Sequence, residues 1–177
     1  MIDGDVSLEG IFIDAKTSLT YEVYFNNEFV YSTVVNGAKT GAVTIPEGLA
    51  RDYVELTADK QTITSLPATV RINATWTAPM KVATPADTTW YNLKVSNQPR
   101  WVSSGNYTPN VYFIDETYIT TDYALWALTG NPYSGFRLIN KAMGPTMVLA
   151  SASPKGSAKA GSNTYATLLP ADNLPAG

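Results

Sequence analysis

The sequence predicts an all-β chain in two parts: an N-terminal antiparallel, Ig-like β-sandwich, then a second β-region. Three observations carry this. Short segments rich in β-branched and aromatic residues recur through both halves. Turn-forming pairs such as Asn26-Asn27, Asn36-Gly37 and Thr40-Gly41 separate them, about every 8 to 12 residues, as in sandwiches and barrels. Hydrophobic residues make up 45 % of the 177, enough for a core, while charged residues reach only 15 %. Thr, Asn, Ser and Tyr therefore solubilise the surface, a balance typical of extracellular β-proteins.

Taken in order, the first part (1–78) reads as strands at SLEGIFID, LTYEVYFN, EFVYSTVVN, GAVTIP, YVELTA, QTITSL and TVRINATW. Tyr21, Val23 and Phe25 alternate with Thr20, Glu22 and Tyr24, the period of a half-buried strand. GLARDYVELTADK also fits a turn or two of helix, but Tyr-Val-Glu-Leu-Thr favours a strand. Pro79 and Pro85 mark 79–89 as an extended linker. A second β-region (90–151) opens at WYNLKV and continues through RWVSS, NVYFID, TYITT, ALWALTG, FRLINKA and TMVLAS. The remainder, 152–177, is rich in Ala, Ser, Gly and Pro and reads as a loop-rich tail with one apolar island at 165–169.

WYNLKVSNQPRWVSS and FRLINKAMGPTMVLAS share a layout of strand, polar turn and strand. Repeats spaced by about 40 residues occur in modular β-folds. The stretch LWALTGNPYSGFRLINKAMG is the more specific one. It resembles the ricin-type β-trefoil lectin modules of secreted glycan-degrading proteins of gut Bacteroidetes. The matching residues are Trp126, Gly130, Asn131, Tyr133, Gly135, Phe136, Ile139, Asn140, Lys141 and Gly144, and the likeness extends over roughly 90–151. It implies an incomplete β-trefoil-like region, completed by further sequence or by another chain. Ala124 stands where such repeats usually carry Gln, so no sugar site transfers residue by residue.

The chain has no cysteine and no histidine. Disulfides, thiolate nucleophiles, Ser-His-Asp triads and the usual zinc ligands are thereby excluded. The net charge of −3 with scattered Lys and Arg argues against nucleic acid as a partner. No apolar run approaches the roughly 20 residues of a membrane span. MIDGDVSLEG is not a signal peptide, so the chain is either not exported or cut from a longer precursor. Asp3 and Asp5 lack the further oxygen ligands that calcium needs. Asp115 and Glu116 are adjacent and face opposite ways in a strand, a poor pair for glycoside hydrolysis. No cofactor, metal site or catalytic residue is expected.

Aromatic residues are the remaining signal. Trp76, Trp90 and Trp126 sit in apolar strands and read as core. Tyr133, Asn131, Tyr107, Trp101 and Asn106 fall in or beside turns and read as ligand-binding, with Asn140 a further candidate amide. The expectation is a non-catalytic, extracellular or cell-surface accessory segment that binds glycan weakly. The alternative is a structural or adhesive protein, such as a fibre, pilus or virion component, that assembles through β-strand contacts.

Overall fold

A computed structural model describes residues 16–105, 108–151 and 166–172. The protein is all-β, built from several sheets whose only helical elements among the described residues are short 3₁₀ turns. It divides into two compact units at Thr75/Trp76.

In the first unit β1 (Leu19–Phe25) and β2 (Glu28–Val35) form a hairpin. Asn26 and Asn27 both take positive φ, 51° and 65°, the type I′ requirement that Asn satisfies at low cost. The strands β3 (Gly41–Ala42) and β5 (Thr62–Ile63) pair as a ribbon, and β4 (Val54–Ala58) and β6 (Ala68–Trp76) join the hairpin in a sheet of order β2-β1-β6-β4. YVELTA thus contains strand, preceded by a 3₁₀ turn at Glu47–Leu49. One pairing departs from the antiparallel expectation, since β1 and β6 run parallel from Leu19↔Ala68 to Phe25↔Ala74. Strand alternation is the same in both directions, and the long connection between these strands permits the parallel crossover.

Leu19, Tyr21, Val23, Phe25, Val70, Ile72 and Ala74 are buried on one face of this sheet. The Tyr21 hydroxyl donates to Thr44 O at 2.8 Å, tying the segment after β3 to that face, and Leu49 and Ile63 are buried too. Burial raises the Tyr21 pKa. Tyr24, on the opposite face, donates to Glu22 Oε2 and lies under the Arg71 guanidinium, 3.9 Å from its ring centroid.

Among the described residues the second unit is one sheet of seven strands, β7 (Tyr91–Asn92), β8 (Trp101–Gly105), β9 (Thr108–Ile114), β10 (Leu125–Asn131), β11 (Gly135–Asn140), β12 (Gly144–Ser151) and β13 (Ala166–Pro170). Their order is β7-β10-β11-β12-β13-β9-β8. The two ends of this order meet. Past β7 the chain pairs with β8 through Lys94↔Trp101, with Val102 N–H donating to Leu93 O and Val95 N–H to Arg100 O. The sheet is therefore closed into a barrel, which leaves no exposed edge at the seam. Its connectivity is a three-strand and a four-strand meander joined by a crossover from β9 to β10. The apolar island in 165–169 contributes β13, a strand between β12 and β9, so this part of the expected tail belongs to the barrel.

Trp126, fully buried, directs its indole N–H to Val102 O at 2.8 Å. The bond joins β10 to β8, which are not sheet neighbours, so it crosses the barrel interior. On the other face, Ala127, Ile139 and Val148 pack with Ala83, Trp90 and Ala171. The stretch expected to be a linker is extended, as its prolines require, but it is not a free spacer. Val82 bridges Leu128, Ala83 N–H donates to Leu128 O, and the Ala83 side chain packs against the Ala127, Ile139 and Val148 cluster. Its apolar side chains are the physical reason.

Candidate functional site

Strand direction sorts the expected site residues. β10 ends at Asn131, and Asn131 Oδ1 accepts the N–H groups of Tyr133 and Ser134, each at 2.9 Å. This is an Asx turn, so the side chain is engaged in shaping the β10–β11 corner. Tyr133 lies half-buried in the same turn. Trp101 is placed elsewhere. β7 runs antiparallel to β10 with Asn92 opposite Leu125, so the hairpin beyond Lys94 lies at the end of the barrel where β10 begins. Trp101 is at this end and Asn131 and Tyr133 at the other. Asn106 and Tyr107 lie outside the described residues.

The end that carries Trp101 has the richer chemistry. Between Val95 and Arg100 the chain turns through Ser96, Asn97, Gln98 and Pro99. Asn97 takes a left-handed φ of 59°, which Asn tolerates better than most residues, and Gln98 N–H donates to Val95 O. Lys94, Val95 and these four residues line an open groove of about 540 Å³. Lys94 stands opposite Trp101 in the hairpin, its ammonium 5.5 Å from the indole centroid. An ammonium, two amides and a hydroxyl thus line the groove, and Lys94 reaches from it over the neighbouring Trp101 indole. At the hairpin base Arg100 pairs with Asp115. Tyr118, three residues on, is 60 % exposed.

The rim rests on a buried polar network. Asn140 is fully buried. Its Nδ2 donates to Tyr123 O at 2.8 Å and Leu125 O at 3.2 Å. Its Oδ1 accepts from Ser104 Oγ at 2.9 Å and from the N–H groups of Ala142 and Met143. Asn92 Nδ2 adds bonds to Ile119 O and Ala124 O. Two strand asparagines and one serine therefore fix the β9–β10 crossover over this end. Asn140 is thereby removed from the residues exposed to a ligand.

Lys94 was missed at the sequence level, because its approach to Trp101 depends on the hairpin register. Asn97 and Gln98 lie in the polar turn of the strand–turn–strand layout, WYNLKVSNQPRWVSS. Among the described residues no group of three His, Cys, Asp or Glu side chains is arranged to hold a metal ion, and no helix is long and apolar enough to cross a membrane. Comparison with protein-family models, curated proteins and solved structures finds no match.

Proposed function

We propose that the second unit binds glycan, weakly and without catalysis, at the rim made by Trp101, Lys94 and the 96–99 turn. The unit would serve as an accessory segment of a larger extracellular or cell-surface protein. The observation that carries this reading is the pairing of a partly exposed indole with an amide-lined open groove. Sugar rings present apolar C–H faces that stack on a flat aromatic, ringed by hydroxyls that seek amide and ammonium partners. A shallow site with few fixed polar groups orients a ligand without enclosing it, so affinity is low. The likeness of 126–144 to lectin modules supports the same reading, as does the low charge content. An incomplete trefoil of lectin descent remains part of the proposal, as does an Ig-like ancestry for the first unit.

Affinity electrophoresis through a panel of soluble glycans, followed by a glycan array, tests it on the full chain. Trp101→Ala and Asn97→Ala should each weaken retardation by about tenfold, equivalent to roughly 1.4 kcal/mol. Tyr133→Ala, at the opposite end, should leave it unchanged. If no glycan retards the protein, or if a folded Trp101→Ala variant binds as before, the assignment is wrong.

A further inference from the structure

The groove at the Trp101 end of the second unit differs in charge from the rest of the chain. The chain as a whole is acidic, with a net charge of −3, yet no Asp or Glu occurs between Asp87 and Asp115. Lys94 and Arg100 are the only charged residues in that interval. Arg100 is neutralised by its pair with Asp115. Lys94 is not. Among the described residues no carboxylate pairs with its ammonium, which lies 5.5 Å from the centroid of the Trp101 indole. Lys94 is also the one charged side chain lining the groove, beside Val95, Ser96, Asn97, Gln98 and Pro99.

We infer that this groove selects acidic glycans, whose sugars carry a carboxylate or a sulfate, over neutral ones. The inference rests on the glycan reading of the same groove and names its ligand class. Specificity is a difference of affinities, and the placement of Lys94 creates one. A cation over an exposed ring is held loosely, and 5.5 Å is near the outer limit of about 6 Å for such contacts. A neutral sugar that stacks on that face of the indole displaces the ammonium and offers it nothing in return. An acidic sugar presents its C–H face to the indole and its anion to the displaced ammonium. Asn97 and Gln98 are exposed, and their side-chain N–H groups can donate to further sugar oxygens. No lining carboxylate repels the anion. Lysine is a point charge without the fixed fork of arginine, so charge, not the shape of one anion, decides the preference. Because the ammonium is exposed, that preference is modest and sensitive to salt.

An NMR titration of the full chain with paired ligands tests this. Trigalacturonate is compared with its methyl ester, which keeps the sugars and loses the charge, and a sulfated dextran oligosaccharide with its unsulfated parent. At low salt, at least one acidic ligand should bind about fivefold more tightly than its neutral partner, shifting backbone amides from Lys94 to Trp101. Molar salt, which cuts the Debye length to about 3 Å, should abolish the preference. Lys94→Gln, which removes the charge at an exposed position, should abolish it as well, and Lys94→Arg should restore it. A preference for trigalacturonate alone assigns a carboxylate, and one for the sulfated ligand alone a sulfate ester. Neutral partners that bind as tightly as the acidic ligands would overturn the inference and leave the glycan reading standing. If none of these sugars shifts the groove amides, both readings fall. If inorganic sulfate shifts them as strongly as the acidic sugars do, the groove is a simple anion site and the inference is wrong.

Discussion

Replacing Asn140 by Ala should strongly destabilise the second unit. The side chain makes five hydrogen bonds, two as donor and three as acceptor. At about 0.5–1.5 kcal/mol net for each, the gross loss is roughly 3–7 kcal/mol. Redundancy lowers it. Leu125 O also accepts from Lys141 N–H, Ala142 N–H also donates to Asp122 O, and Ser104 Oγ also reaches Tyr123 O. The expected loss is therefore about 3 kcal/mol, a Tm shift of roughly 12 °C or more for a unit of about 100 residues. Asn140→Asp should be no milder, because it keeps the acceptors but turns a carboxylate toward the Tyr123 and Leu125 carbonyls in a buried site. Ser104→Ala alone should cost about 1 kcal/mol, and the double variant less than the sum, since both side chains belong to one network. Urea denaturation followed by Trp fluorescence measures all of these. A loss below about 1 kcal/mol for Asn140→Ala would refute the claim that this amide holds the crossover.

Gly130→Ala should cost about 3 kcal/mol or more, because φ is +101° and the new Cβ would lie 2.4 Å from Gly135 O; strain and clash add. Gly135→Ala, with φ +98° and open space, should cost only about 1–2 kcal/mol, and thermal denaturation of both variants checks the contrast. Trp126→Phe should cost about 2 kcal/mol, because Val102 O loses its buried donor and a small cavity opens; near-ultraviolet circular dichroism will show whether the fold survives. In alkali, Tyr21 should ionise above the ordinary value of 10.0 because it is buried, and Tyr24 because the hydrogen bond to Glu22, then burial, raises it. Both folded pKa values exceed the unfolded one, so this stability is complete below pH 10 and is lost as pH rises through the folded values. Phenolate absorbance at increasing pH should show late-titrating groups, and Tyr21→Phe should remove one of them.

The parts of the fold legible in the sequence are those set by local chemistry. Asn26-Asn27 specifies the β1–β2 hairpin because few other pairs adopt two successive left-handed residues. Trp126 reads as core from its apolar neighbours, and the structure buries it. What was not legible depends on distant partners. Alternation places Leu19 and Phe25 on one face but is silent on whether Ala68 to Ala74 runs parallel to them. Thr167 to Leu169 is too short to outweigh its Ala-, Ser- and Gly-rich surroundings, yet it fits between two strands that need a neighbour. An asparagine in a strand reads as polar surface unless its partners are known, and those of Asn140 lie on Ser104, Tyr123 and Leu125. Of the expected ligand-binding residues, Trp101 carries the proposed site. Asn131 has a sufficient reason to be where it is in the turn it caps.

The rim and the buried network beneath it are joined by the same short crossover. Ser104, two residues beyond the pair Trp101–Val102 that closes the barrel, is bonded to Asn140. Asn140 in turn holds Tyr123, at the end of the segment whose other end, Asp115, pairs with Arg100 at the base of the groove. An exposed ion pair alone contributes little, so the hairpin owes its position chiefly to the backbone ladder and to the buried amides. A weak ligand site gains most from such an arrangement, since every side chain already fixed before binding lowers the ordering cost on association. A conservative loss such as Ser104→Ala should therefore weaken glycan retardation by more than its small stability cost implies, although Ser104 is buried away from the groove. Equal binding by folded Ser104→Ala and unmodified protein would show instead that the groove is organised by its own turn alone.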